Sequence, residues 1–137
     1  MSAFYNKGKE RILKQWHDGG SAKTIKAMFM APAYTPDVDS HQFVSDISAS
    51  RASGTTDQTL ASIAIAADNT NNRAEFDAAD LSVATVTTST DMIVLYESTG
   101  VDATSTLLCY IDIAEGTISP VSGTLAITWN SEGIFAV

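Results

Sequence analysis

The sequence predicts a mainly β protein: an antiparallel β-sandwich or jelly-roll-like barrel with one N-terminal amphipathic helix. Short segments rich in Val, Ile and Thr recur through the second half of the chain, with turn-forming residues between them. Helical periodicity is confined to the start of the chain. A length of 137 residues suits one domain, with a helix in residues 1–20 and a β body in residues 21–137.

The first element is a helix predicted over residues 3–18. Lys7, Arg11 and Lys14 fall mainly on its polar side. Gly19-Gly20 follows directly and predicts a left-handed stop. The helix should cover the sheet or a partner through its apolar stripe, formed at helical spacing by Tyr5, Ile12 and Trp16, with Phe4 and Leu13 beside them.

Period-2 alternation begins after the glycines. Ile25, Ala27 and Phe29 alternate with other residues and predict a strand of about seven residues. Two prolines then predict an ordered loop over residues 31–40, anchored by Tyr34. A short helix or turn should begin near Phe43, and residues 48–59 are polar enough to predict a surface loop.

The remaining chain predicts a series of short strands. An Asn-rich segment at 68–72 predicts a hairpin turn, since Asn and Asp tolerate turn geometry and bond their own backbone. Segments 91–97 and 107–113 are apolar on both faces and should be central strands. The complete set of predicted strands is 60–66, 73–77, 82–87, 91–97, 107–113, 123–129 and 134–137.

Charge is distributed unevenly along the chain. The net charge is −8, yet residues 1–26 hold six of the eight lysines and arginines and only two of the sixteen acidic residues. An acidic body repels phosphates, so nucleic acid is not an expected partner. The basic helix either docks on an acidic neighbour, including another copy of this chain, or is an ordinary solvated face. No apolar run approaches the ~20 residues of a membrane span, and no membrane partner is expected.

Reactive groups are few. Cys109 lies in an apolar segment and is expected to be a small buried hydrophobe. Asp37, Asp39 and His41 alternate, which permits a metal site, but a turn capped by aspartate is the simpler interpretation. We predict no metal, no cofactor and no enzymatic activity.

Two kinds of catalysis stay open at this level. A Ser-His-Asp triad combines residues distant in sequence, so its absence does not follow from spacing. The acidic pairs Asp77/Asp80 and Asp112/Glu115 are interpreted as solvated loop ends rather than glycosidase acids.

Aromatic residues, Phe4 and Tyr5 among them, are expected in the core; stacking on carbohydrate is the alternative.

Five short strings lie in a fixed order in the first 47 and the last 45 residues; residues 48–59 lie outside the match. This set resembles a family of small tailed-bacteriophage virion proteins. The strings are Phe4-Tyr5-Asn6-Lys7, Ile25-Lys26-Ala27-Met28, Tyr34-Thr35-Pro36-Asp37, Thr128-Trp129-Asn130 and Gly133-Ile134-Phe135.

The resemblance implies a virion structural protein, first of all a head decoration (cement) protein on the capsid surface, assembled in the host bacterial cytoplasm. Its partners would be the major capsid protein and copies of itself, as a trimer or dimer. A neck or tail-associated structural protein and a virion carbohydrate-binding module are the alternatives. The residues expected at the partner interface are Phe4, Tyr5, Lys7, Arg11, Lys14, Trp16, Tyr34, Pro36 and Asp37.

Overall fold

The computed structural model describes residues 2–137. Short 3-10 turns occupy Ser48–Ser50 and Asp102–Thr104. The helices are α1 (Asn6–Asp18) and α2 (Val44–Ile47). The strands are β1 (Thr24–Met30), β2 (Gln58–Thr59), β3 (Ala64–Asp68), β4 (Arg73–Asp77), β5 (Leu81–Val86), β6 (Met92–Ser98), β7 (Thr106–Asp112), β8 (Gly123–Ile127) and β9 (Phe135–Ala136).

The predicted fold class is confirmed: the chain is mainly β, with antiparallel sheets and an N-terminal helix. A four-stranded sheet has the order β2-β1-β6-β7, a three-stranded sheet has the order β3-β4-β9, and β5 pairs with β8. Neighbouring strands of the two larger sheets run antiparallel. Within residues 2–137, no sheet closes into a barrel.

The contacts of the backbone divide the chain into two compact units, each built from separate stretches of sequence. The first unit combines residues 2–23, 60–80 and 127–137, and therefore contains α1, β3, β4 and β9. The second combines residues 24–59 and 81–126, and contains the four-stranded sheet and, apart from the last residue of β8, the β5–β8 pair. The single-domain organisation stays a prediction.

The first unit is built on the β3–β4 hairpin, whose register runs from Ala64 opposite Asp77 to Asp68 opposite Arg73. Asp68 Oδ1 accepts hydrogen bonds from the backbone N–H groups of Thr70 (2.9 Å) and Asn71 (3.2 Å), and Asn71 Nδ2 donates to Asp68 Oδ2 (2.7 Å). These bonds, the Asn71 side chain first, lower the pKa of Asp68 to about 2. The predicted Asn-rich turn is confirmed.

The second unit is built on β1 and β6, which pair along their whole length from Thr24–Ser98 to Met30–Met92. The predicted seven-residue strand at β1 is confirmed. Its alternation is not reflected in burial, because Met28 and Met30 are as buried as the residues facing the other way. They join a hydrophobic cluster that includes Val94.

The interpretation of residues 48–59 as a polar surface loop is wrong in part. Ala52 is buried, and β2 adds a short edge strand to β1. Arg51 binds Asp57 through two hydrogen bonds (2.9 and 3.1 Å), and the hydroxyl of buried Tyr96 donates to the same carboxylate at 2.7 Å. The polar composition of this segment did not predict burial, because charged side chains that are paired with each other, as Arg51 and Asp57 are, can pack against a sheet.

Every predicted strand has a counterpart: β4 has its predicted bounds, and the ends of β3 and of β5 to β9 are displaced. The largest displacement is at β3, which begins four residues late because Ser62 has a φ of +53° and breaks the extended backbone. β6 is an internal, buried strand as predicted. The expectation that β7 is central is wrong: β7 is an edge strand, and Tyr110 is exposed. Strand order depends on distant pairing, which hydrophobicity alone does not report.

Candidate functional site

Helix α1 presents a different face to its unit than the predicted stripe. The buried residues of α1 are Glu10, Leu13 and His17, which point at the β3–β4 hairpin. Phe4, Tyr5 and Ile12, expected to be packed, are 69%, 90% and 52% exposed. Positions 10, 13 and 17 share one side of a helix with 3.6 residues per turn. That side lies roughly 100° around the helix axis from the predicted apolar stripe.

A set of aromatic rings explains this orientation. Phe76 on β4 is completely buried and stacks on Phe135 with centroids 4.6 Å apart. Trp16 and His17 each approach Phe76 with centroids 6.3 Å apart. Edge and tilted contacts of this kind favour the arrangement. Trp16 is therefore half-buried inside its own unit, and its place in a partner interface stays a prediction.

Glu10 is an acidic residue on the buried face, and its charge is compensated locally. Lys7 and Lys14 each place an ammonium nitrogen 2.6 Å from one of its carboxylate oxygens. Hydrogen bonds from Lys14 and then Lys7 lower the pKa of Glu10. Both predicted contact lysines are thus engaged within the helix. Arg11 takes part in none of the ion pairs found among residues 2–137.

The exposed side of α1 carries a shallow apolar depression. We call the surface formed by Phe4, Tyr5, Gly8, Arg11 and Ile12 the outer helix face. Gly8 and Ile12 are four residues apart and lie above one another on α1. Phe4, just before the helix, lines the same depression, and the absence of a side chain at Gly8 leaves this space open. Exposed aromatics beside an unpaired arginine are typical of protein interfaces.

The loop after β1 and the edge strand β7 enclose a second surface feature, a groove of about 160 Å³. We call it the β7 groove. Its lining includes the predicted contact residues of the loop, and it continues over the start of the strand. The lining residues are Tyr34, Pro36, Asp37, Val38, His41, Gln42, Val94, Leu107, Leu108, Cys109 and Tyr110.

Hydrogen bonds hold the loop side of this groove. Asp37 Oδ1 accepts from the backbone N–H groups of Asp39 (3.0 Å) and Ser40 (3.2 Å), while His41 Nδ1 accepts from the Asp37 N–H (3.1 Å). The Tyr34 ring stacks on His41 at 5.8 Å. Hydrogen bonds, the Ser40 side chain first, lower the pKa of Asp37. The ordered loop anchored by Tyr34 and the capped turn are confirmed.

The strand side of the groove is irregular. Leu95 faces Cys109 and Tyr96 faces Leu107, so Leu108 is an extra residue in a β-bulge. Bulges at sheet edges re-aim side chains, and here Leu108 joins the groove lining. Cys109 is partly buried, and its burial raises the pKa of the thiol to about 11. It behaves as a small hydrophobe, as predicted.

The predicted contact residues fall into two sets. Six of them lie on or just before α1 in the first unit; Tyr34, Pro36 and Asp37 lie at the groove in the second. Sequence reasoning missed Val38, Leu108 and Tyr110 as groove residues. No local signal identifies Leu108 or Tyr110, because their role depends on β7 being an edge strand.

Few side chains of residues 2–137 are grouped as a metal site or a catalytic site would require. Among residues 2–137, no group of three His, Cys, Asp or Glu side chains is placed to hold a metal ion. His17 contacts Asp18 (2.6 Å) and His41 contacts Tyr34 (3.3 Å) and Asp37; no hydrogen bond found in residues 2–137 links either ring to a serine. Of the helices described, none has the length and apolar character to cross a membrane.

Comparison of the chain with protein-family models, with curated proteins and with solved structures finds no match.

Proposed function

We propose that this chain is a bacteriophage virion structural protein, a capsid decoration (cement) protein that binds the major capsid protein lattice and associates with copies of itself. The proposal includes no catalytic step, no cofactor, no nucleic acid and no membrane. The observation that carries it is the outer helix face. Its three large apolar side chains are exposed beside Arg11, and such patches on soluble proteins mark contact surfaces.

Two well-bonded turns, one in each unit, support binding rather than catalysis. The groove loop and the β3–β4 turn are each held by several hydrogen bonds, so little ordering entropy is lost when a partner binds. The basic character of residues 1–26 opposes an acidic remainder, which favours contact between unlike surfaces of neighbouring subunits. The identity of the lattice as a phage capsid comes from the resemblance of the five strings alone.

Stabilisation would follow from mass action. A protein that binds the expanded lattice and not its disassembled subunits stabilises the lattice by its binding free energy. Seating each oligomer on several capsid subunits multiplies weak contacts without new chemistry. A decoration protein therefore needs surfaces and rigidity only, and this chain offers both.

The decisive experiment combines capsid binding with microscopy. Capsids of the encoding phage that lack this protein are mixed with the purified chain and sedimented. We expect co-sedimentation at a fixed stoichiometry, a higher temperature of capsid disassembly, and density in symmetric sets across the shell by electron cryomicroscopy. Density confined to the unique vertex or tail would place the chain among neck or tail proteins. Absence from the particle would refute the proposal.

A matched pair of variants tests the outer helix face. Ile12→Ser removes an exposed apolar side chain from α1, and Val121→Ser makes a comparable change at an exposed position in the second unit. We expect Ile12→Ser to reduce capsid binding and Val121→Ser to leave it unchanged. Equal binding by both variants would show that this face makes no contact.

A further inference from the structure

The outer edge of β7 is open over most of its length. At the start of the strand, the Leu107 N–H donates to the Gln42 carbonyl at 3.0 Å. Within residues 2–137, no second strand pairs with the outer edge between Leu108 and Asp112. Proteins usually protect such an edge with lysine, proline, a β-bulge or a very short strand. β7 has a bulge at Leu108, and the residues after it remain open. β2, at the opposite edge of the sheet, has two residues, whereas β7 has seven and contains neither lysine nor proline.

The β7 groove lies beside this open edge and has a suitable size for one aromatic side chain. Its volume of about 160 Å³ compares with the ~150 Å³ of an apolar protein cavity that holds benzene. Val94 and Leu107 at its base belong to or pack against the hydrophobic cluster of the second unit. The groove lining is mixed, with apolar side chains such as Leu108 beside polar ones such as His41 and Gln42. An open strand edge with an adjacent side-chain groove is the arrangement that recognises an extended segment by strand addition.

This chain contains a segment of that kind. Residues 2–5 precede α1, have no regular structure, and are exposed throughout. Tyr5 has extended backbone angles, with φ −66° and ψ 148°. The Phe4 side chain extends from this segment without a stacking partner among the rings of residues 2–137. Four extended residues reach about 13 Å, enough to lie beside four residues of β7.

We propose that residues 2–5 of one copy add as a strand to the outer edge of β7 in a second copy, with the Phe4 side chain in the β7 groove. Charge favours this pairing. The segment leads into the basic first turns of α1, where Arg11 takes part in no ion pair among residues 2–137. Asp37 lines the groove, and β7 ends at Asp112. Neither forms an ion pair among residues 2–137.

The contact joins two different surfaces of the same chain, so it is heterologous. Repeated around a rotation axis, such a contact closes into a ring, which suits a cyclic trimer. The inference rests on the part of the proposed function that makes copies of the chain its partners. It does not depend on capsid binding, so the two can fail separately.

Complementation between two defective variants tests the inference. Phe4→Ala removes the inserted side chain and leaves the groove intact. Val38→Arg places a bulky cation at an exposed position of the groove lining, where it obstructs the incoming segment and repels the basic first turns of α1 that follow it. The change leaves the donor segment intact. Molar mass is measured by sedimentation over a range of concentrations, with Val121→Ala as the exposed control and circular dichroism to verify folding.

We expect wild type and the control to associate, and each defective variant alone to associate about tenfold or more weakly. Mixed in equal amounts, the two defective variants should form a one-to-one dimer, because one intact segment and one intact groove remain. Association should weaken with salt.

Three outcomes would overturn the inference: a wild-type chain that stays monomeric at its solubility limit, variants that associate like wild type, or a mixture that does not complement. Capsid co-sedimentation of Val38→Arg, which leaves the outer helix face intact, separates this result from the proposed function. A variant that no longer self-associates yet still binds capsids would leave the capsid proposal standing.

Discussion

Replacing Phe76 with alanine should destabilise the protein more than any other single truncation of an aromatic ring in the first unit. Phe76 is completely buried on β4 and stacked on Phe135, with Trp16 and His17 against it. Removing the ring leaves a cavity among side chains that are themselves held by helix α1 and by β9. The β9 side cannot move inward without breaking backbone pairing, such as the Ile134 N–H bond to the Phe76 carbonyl (2.8 Å). On the α1 side, the bond from the Lys9 ammonium to the Asn72 carbonyl (2.6 Å) opposes the shift.

The expected magnitude is large compared with the stability of a domain. A buried Phe→Ala change costs about 3–5 kcal/mol, and loss of the stacked pair places this site toward the upper end. Domains of this size are stable by only about 5–15 kcal/mol. For a chain of 137 residues unfolding in one transition, the same loss lowers Tm by roughly 10–17 °C.

The assay is urea unfolding followed by circular dichroism, with Phe4→Ala as control. The control makes the same chemical change at an exposed position, so it should alter the free energy of unfolding by no more than about 0.5 kcal/mol. Measurements at low protein concentration keep self-association from contributing. A loss below about 1 kcal/mol for Phe76→Ala, or equal losses for both variants, would refute the assigned packing of α1 on the β3–β4 hairpin.

Three further outcomes are expected. Tyr96→Phe should cost about 1.5–3 kcal/mol in urea unfolding. Asp57→Ala should cost more, because it leaves the tyrosine hydroxyl without its acceptor and leaves the Arg51 guanidinium with only its 3.6 Å ion pair to Asp102; equal costs would contradict the cluster. Because the folded pKa of Asp68 is about 2 and its ordinary value is 3.8, the unfolded chain binds the proton first as pH falls. The stability due to this group is complete above about pH 5 and is lost toward pH 2, so Asp68→Asn should flatten the pH dependence in that window. Gly54→Ala should cost at least about 1 kcal/mol, because φ at this position is +78° and a Cβ would overlap a carbonyl oxygen of the loop after β5. Gly100 has a similar φ of +85°, but a Cβ there would meet open space. A smaller loss of stability for Gly100→Ala would therefore separate the effect of overlap from that of backbone strain.

Local patterns predicted most of the secondary structure because their causes lie within a few residues. The end of α1 follows from Gly20, whose φ of +84° no other residue adopts so readily. The β3–β4 turn follows from side chains that bond their own backbone, as Asp68 does. The loop after β1 follows from its prolines and from a histidine that bonds back to Asp37. None of these features depends on distant parts of the chain.

The candidate site was accessible from sequence only in part. Phe4, Tyr5 and Tyr34 are large aromatic residues in segments outside helices and strands. Because such segments do not require aromatic side chains, these residues were recognisable as contact candidates. The sequence did not predict which of the apolar residues near α1 are exposed, because Tyr5 and Ile12 fit an apolar stripe as well as the buried Leu13 does. The expected stripe and the observed buried face differ by about one helical position, and side chains on other strands select between them.

The sequence by itself determined that this chain is mainly antiparallel β with one leading helix, where its turns lie, and that its basic and acidic residues are segregated. These properties follow from propensity, periodicity and composition, which act over a few residues. Only the tertiary structure decided that Phe76 rather than Ile12 is buried, that β7 ends its sheet, and that Leu108 bulges into a groove. Each of these depends on pairing and packing between residues far apart in the chain, where several arrangements satisfy the same local pattern.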